Sequence, residues 1–473
     1  MTKRLNVRSP LDSLELSKIP KKLPPKKYIK PVVKFSTEGI QITGEYKKAK
    51  DYIESGCPVI FVSGNAGTGK STLIKYLRST IDKKIVVLAP TGVAALNIEG
   101  STIHSFFRLP PKIHNDEDIK VVSDKKIYQK LELLIVDEVS MVRCDILDSI
   151  DKFLRKNRPV DAPFGGVQVL LVGDLFQLPP VIPRKERDVL LSKGYAGHHF
   201  FNSFVIQDSP IVHVELTTIF RQKESSFISL LNNIRFAENV ESTLAEINKQ
   251  CYNTGRQKAD ITLTCTNNSA DQININELHK LQSKEYTFTG EIAGKFNLDE
   301  DKLPSPMNLK LKVGAHVMFT RNDDSKRWVN GSLGIIRGID DGNIRVEIID
   351  NDRQSIHLVE RVTWETYRYT YDHDKNKILS EVIGEYTQFP LTLAWAVTIH
   401  KSQGKTLQNV LIDLGSGAFD SGQVYVALSR CRSIDGIQLA RPIRQSEIKC
   451  DPMIKQFLEM VKDSNRFTQT FLY

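Results

Sequence analysis

Unbroken apolar runs punctuate the first two hundred residues, at 59–63, 85–90, 131–137 and 167–173. The stretches between them carry apolar positions three and four residues apart. A strand that is apolar without alternation is covered on both faces. Such strands alternating with helices predict a parallel sheet between helical layers. A second alternation begins near residue 211, with its clearest strands at 212–216, 260–266 and 410–413. Between 328 and 389 the pattern changes. Short strands at 332–336, 343–349 and 355–358, with turns at 340–343 and 351–353, predict a small antiparallel β-barrel inserted in the second α/β unit. Residues 108–130 break the first unit with Leu109-Pro110-Pro111 and mixed charge, which predicts a small pin-like insertion. Residues 1–38 are rich in lysine and proline and read as a basic, flexible tail. The predicted division is a first α/β domain at 39–210, a second at 211–327 and 390–473, and the barrel at 328–389.

The string Gly64-Asn65-Ala66-Gly67-Thr68-Gly69-Lys70-Ser71-Thr72 follows the first of these strands and opens a helix-like stretch. That is the context a phosphate-binding loop requires. Glycines let the backbone wrap an anion, and the exposed N–H groups and helix N-terminus attract negative charge. Lys70 is placed to reach the β- and γ-phosphates of a nucleoside triphosphate, and Ser71 to hold Mg²⁺. Composition adds bounds. The chain has 473 residues, 40% hydrophobic and 26% charged, and no apolar run near the ~20 residues of a membrane span. Six scattered cysteines without a C-x-x-C pair argue against zinc or a disulfide framework and fit a reducing, intracellular setting. A net charge of +9 permits nucleic-acid binding without establishing it.

Three further segments carry chemistry. Residues 134–141 read LIVDEVSM. A carboxylate at the end of a buried strand beside a phosphate loop suits a Mg²⁺ ligand, which assigns Asp137 to the metal and Glu138 to the attacking water. Residues 173–181 read GDLFQLPPV, where Gln177 can meet a γ-phosphate or that water. Arg221 and Arg430 lie in the second unit. Guanidinium groups stabilise the spread charge of a transferring phosphoryl group, so both suit a cleft between the two domains.

The ordered strings GNAGTGKS, APTGVAA (89–95), STIHSFF (101–107), VDEVSM, GDLFQLPPV, TTIFRQ, TIHKSQGKTL (398–407) and VYVALSRCRS resemble the motif set of superfamily 1 helicases. In detail they resemble the petite-integration-frequency (PIF) family, in the RecD-like group B. The resemblance covers about 46–442. It implies two RecA-like α/β domains with ATP and Mg²⁺ between them, and a barrel of the Src-homology-3 kind that clamps the strand. It implies the same roles for Lys70, Ser71, Asp137, Glu138, Gln177, Arg221 and Arg430, and adds Gly404 to the nucleotide site. It also implies a single-stranded DNA track through Thr91, Gly92, His104 and Phe106 on the first domain and His400, Ser402 and Gln403 on the second. The expected protein is a monomeric 5′-to-3′ DNA helicase acting on duplex with a 5′ tail. A RecD-type motor subunit of a nuclease complex and a non-enzymatic nucleotide-switch module remain as alternatives. One departure stands out. The family's glutamine upstream of the phosphate loop is replaced here by Tyr46.

Overall fold

The computed structural model describes residues 29–30 and 41–470, except 223, 257–258, 297, 299–302, 341, 350–354, 373 and 375. The expected tail lies outside the described residues apart from Ile29–Lys30, which pair with Ser380 and Glu381.

The first domain is built on a parallel sheet. Its strand order is Ser101–Thr102, Ile85–Ala89, Leu133–Val136, Gln168–Gly173, Val59–Gly64, Ile211–Leu216. All four unbroken apolar runs are strands of this sheet, and nearly every residue in them is buried. One face packs on the helices Gly44–Glu54 and Lys70–Thr80 through Ile53, Leu73 and Leu77. The opposite face joins a larger core through Phe61, Leu134 and Leu171. The second domain has a four-stranded parallel sheet, ordered Ala396–Thr398, Ile261–Thr264, Val410–Asp413, Ile437–Leu439. Two RecA-like parallel-sheet domains are therefore present.

Several expected boundaries shift. The strand at 212–216 was assigned to the second domain, but Ile211–Leu216 pairs in parallel with Val59–Gly64 and closes the first sheet. An apolar run cannot reveal which of two sheets it joins. The inserted region also differs from a single barrel at 328–389. A five-stranded antiparallel sheet, ordered Ser355–Val359, Asn343–Ile348, Leu333–Asp340, His316–Phe319, Leu391–Leu393, begins before residue 328. It shares a core with the ribbon Glu285–Thr289 and Asn308–Lys312, through Leu309, Phe319, Trp328 and Val346. The strands Val362–Asp372 and Lys377–Gln388 leave it as a long hairpin. Tyr369 on that hairpin donates its hydroxyl to the Val87 carbonyl (3.2 Å) and accepts the Val87 N–H (3.3 Å). It thereby satisfies the sheet edge that the two-residue strand Ser101–Thr102 leaves open.

The insertion at 108–130 forms no β-hairpin. It lies along the helix Cys144–Asn157, whose side chains satisfy its backbone: Asn157 Oδ1 accepts the Val122 N–H, and Lys156 Nζ donates to the Asp116 and Ile119 carbonyls. The end of the chain, expected as the C-terminal tail of the second domain, does not stay with it. Instead the helix Pro452–Thr470 returns to the first. Phe457 stacks on Phe201 with ring centroids 4.5 Å apart and packs against Phe61 and Phe200. His199 bonds Asp451 at 3.0 Å, and Lys462 pairs with Glu215 at 3.1 Å. Truncating a buried aromatic leaves a cavity as well as losing burial. Phe457→Ala is therefore expected to cost about 3 kcal/mol or more, read as a lower urea midpoint at unchanged slope.

Candidate nucleotide site and nucleic-acid interface

The loop at 64–72 leaves the strand Val59–Gly64 and turns into the helix Lys70–Thr80 at Gly69, whose φ is +82°. Lys70 curls back so that Nζ donates to the carbonyls of Gly64 (2.9 Å) and Asn65 (3.0 Å). Thr68 is buried and donates to the Asn65 carbonyl at 2.9 Å. Asn65 reaches Asn232 Oδ1 of the helix Ser225–Phe236 at 3.2 Å, and Ala66 N–H reaches the Tyr425 hydroxyl at 3.2 Å. Burial depresses the Lys70 ammonium, while Asp174, Glu138 and Asp137 pull it back up.

Asp137 follows the strand Leu133–Val136 and is buried. Burial, and then the Glu138 charge, push its carboxyl up to about 7. Glu138 has a left-handed backbone, φ +51°, and burial raises its carboxyl as well. Gln177 is buried and donates to Asp174 Oδ2 at 2.9 Å. Across the cleft, Arg221 donates to the carbonyls of Ser429 and Gly404, both at 3.3 Å. Arg430 is almost wholly enclosed, with Nε on the Val426 carbonyl (2.8 Å) and other nitrogens on Ser402 O, Lys405 O and Ser429 Oγ. Burial and then the nearby Arg221 charge hold its guanidinium down at about 9, still above neutral pH.

A cavity of about 730 Å³ runs between the two sheets. Lys70, Ser71, Thr72, Glu138 and Gln177 face it from the first domain, Gly404 and Arg430 from the second, and Arg221 from the segment that follows Leu216 and packs on Gly67. Ala66, Gly67 and Gly69 also border it, whereas Gly64, Asn65 and Thr68 support the loop from beneath. Cations converging with loop amides on one cavity fit a polyphosphate. Among the described residues no cluster of three or more metal-ligating side chains occurs. Ser71 and Asp137 instead offer a hydroxyl and a carboxylate beside the phosphate loop, the donor set Mg²⁺ takes when phosphates and water complete its shell.

Tyr46, at the position of the missing glutamine, is 1% exposed and donates to the Gly69 carbonyl at 2.7 Å. It braces the phosphate loop from behind.

The expected DNA track is only partly assembled. Phe106 is packed edge-on to Phe107, Tyr128 and Tyr369 in the core, which corrects its assignment as a base platform. Ser402 is fully buried and donates to the Ile399 carbonyl at 2.7 Å, which corrects its assignment to a phosphate. Gln403 turns into the nucleotide cleft, bonding Glu138 and Gln177 at 3.2 Å each. It lies with Glu138 and Gln177 rather than on a DNA surface. The Thr91 hydroxyl caps the helix Gly92–Asn97 by accepting the Ala94 N–H. Gly92 packs against Leu298. His104 and His400 are half-buried, and burial lowers both imidazoles.

The sequence reading passed over Asp174, Arg235 and Tyr425. Asp174 is wholly buried at the end of Gln168–Gly173 and pairs with Arg235 at 3.1 Å. Tyr425 donates to Asp174 Oδ2 at 3.3 Å. The available signal for Arg235 is a cation inside the apolar stripe of Phe227, Leu230, Leu231 and Ile234.

A phosphate loop at the end of one parallel-sheet strand, faced by an arginine from a second parallel-sheet domain, defines the tandem RecA-like class of P-loop proteins. The chain belongs to the PIF1-like helicase family. That family's profile matches residues 41–243. The ATP-dependent DNA helicase Pif1 of Bdellovibrio bacteriovorus is 32% identical over 409 residues, 85% of this chain and 88% of the relative. Human ATP-dependent DNA helicase PIF1 is 32% identical over 415 residues; the match takes in 84% of this chain and 60% of the human protein. The solved structure of Bacteroides sp. Pif1 in complex with ADP-AlF4 superposes with a TM-score of 0.82 at 40% identity, covering 90% of this chain and 98% of that one. Bacteroides Pif1 bound to single-stranded DNA gives 0.66 at the same identity and coverage.

Proposed function

We propose that the chain is an ATP-dependent DNA helicase that moves 5′ to 3′ along single-stranded DNA as a monomer and parts duplex carrying a 5′ tail. The observation that carries this reading is the cavity in which Lys70, Glu138 and Gln177 of one RecA-like domain face Arg430 of the other, with Arg221 bridging to the carbonyls of Ser429 and Gly404. Site residues split between two domains make hydrolysis depend on how the domains close, which a translocating motor requires. The family's relatives carry the name ATP-dependent DNA helicase, and a related structure holds single-stranded DNA.

In this reading the loop amides and Lys70 hold the β- and γ-phosphates. Ser71 and Asp137 would hold Mg²⁺, which neutralises phosphate charge when bound. Glu138 accepts a proton from the attacking water, Gln177 and Gln403 orient that water, and the two arginines stabilise charge on the departing phosphoryl group. Thr91, Gly92, His104 and His400 remain as the DNA contacts, through loop backbone and imidazole groups that meet phosphates without reading sequence. Direction follows from the resemblance to group B.

The test is phosphate release with and without single-stranded DNA, followed by unwinding of duplexes carrying either a 5′ or a 3′ tail. DNA-stimulated turnover and unwinding of the 5′-tailed duplex are expected, with activity falling steeply as salt rises. Unwinding of the 3′-tailed duplex alone would overturn the direction. ATP turnover that ignores DNA would overturn the helicase reading.

A further inference from the structure

The short helix Gln423–Leu428 of the second domain and Gly422 just before it make three buried contacts with the first domain, two of them on the phosphate loop and the Gln177 segment. Its N-terminal residue Gly422, φ +76°, lies so close to the backbone of Phe176 and Gln177 that an added Cβ would sit 2.6 Å from the Gln177 carbonyl oxygen. One turn on, the Tyr425 hydroxyl accepts the Ala66 N–H of the phosphate loop at 3.2 Å and donates to Asp174 Oδ2 at 3.3 Å. Gln177 holds that same carboxylate oxygen at 2.9 Å. Arg235 grips the other oxygen at 3.1 Å and lies over the Phe176 ring, 4.4 Å from its centroid. Asp174, Arg235 and Tyr425 are each at most 5% exposed. Arg430, two residues beyond the helix, faces the nucleotide cavity.

These contacts form one rigid path. It starts at the loop that wraps the phosphates and runs through Tyr425 and Asp174 to the Gln177 segment on one side and to the helix that precedes Arg430 on the other. A buried ion pair in low dielectric depends steeply on its geometry, and a small displacement of either domain weakens it. Arg235 Nε has no hydrogen-bond partner among the described residues, and the side chain is held through its Asp174 bond and its contacts with the Phe176 and Phe236 rings. Ala66 N–H belongs to the loop that takes the anion, so the Tyr425 contact registers its position against the second domain.

We propose that Tyr425 and Arg235 are positioning residues of the hydrolysis reaction. They act through Asp174 to align the phosphate loop and Gln177 with Arg430 when the two domains close. The inference rests on the helicase reading above and adds residues that lie outside the lining of the nucleotide cavity.

Tyr425→Phe keeps the ring and deletes the hydroxyl. In the full chain, with saturating single-stranded DNA, kcat for ATP is expected to fall about tenfold while KM changes less than about threefold. The thermal midpoint should stay near that of the unaltered chain. Arg235→Met, which fills similar space without charge, should give the same split, and Arg235→Lys should recover most of the lost turnover. Wild-type kcat in Tyr425→Phe and Arg235→Met would overturn the proposal. So would a fall in turnover matched by an equal fall in folded protein measured by circular dichroism. If the unaltered chain fails to hydrolyse ATP with DNA present, it is the helicase reading that fails.

Discussion

Glu138→Gln is expected to lower DNA-stimulated ATP turnover by about 10²- to 10⁴-fold while nucleotide remains bound. The amide has the shape of the carboxylate but cannot accept a proton from water. Backbone strain does not confound the comparison, since the left-handed φ of +51° at this position burdens either side chain alike. The neighbouring donor also survives, because Gln403 Nε2 can bond an amide oxygen as it now bonds Glu138 Oε2 at 3.2 Å. Burial raises the Glu138 carboxyl above the usual carboxylate range, which strengthens it as a base. The sign for turnover follows. The base works ionised, so the rate falls as pH drops through that raised value, earlier than an exposed glutamate would dictate. Phosphate release gives the rate and equilibrium nucleotide binding the affinity. Near-normal turnover in the variant would remove Glu138 from the chemistry.

Arg430→Ala is expected to cost about 10³-fold or more in kcat and little in DNA affinity. Arginines that meet a transferring phosphoryl group are worth about that much. The guanidinium, held at about 9, stays charged at neutral pH and faces the cavity from the second domain. Its loss also strips partners from the Val426, Ser402 and Lys405 carbonyls, so the alanine variant must first be shown to fold. Arg430→Lys is the sharper probe. It keeps a positive charge but lacks the planar fork. Folding should be preserved and turnover should remain low. DNA binding lost with turnover intact would move Arg430 from the hydrolytic cleft to the DNA surface.

Local pattern determined a good deal of this protein. The four apolar runs of the first domain are strands because a run without alternation can satisfy itself only when covered on both faces. The phosphate loop was readable because its glycines, lysine and flanking elements are all contiguous. Asp137 and Glu138 were readable because they directly follow a buried strand. What contiguous pattern cannot carry is which distant segments meet. Gln403 reaches Glu138 across 265 positions and Tyr425 reaches Ala66 across 359, so no window of sequence contains either contact. The same limit hid the strand Ile211–Leu216, which joins the first sheet, and the helix Pro452–Thr470, which returns to it. It also misdirected Phe106 and Ser402. An aromatic or a hydroxyl in a motif has the chemistry to bind DNA, but only packing decides whether it faces solvent or the core, and here both face inward. Contiguous pattern specified the elements and the chemistry on them. The tertiary structure alone decided which of those groups share a cavity, because burial and closure energies arise between segments that the chain keeps far apart.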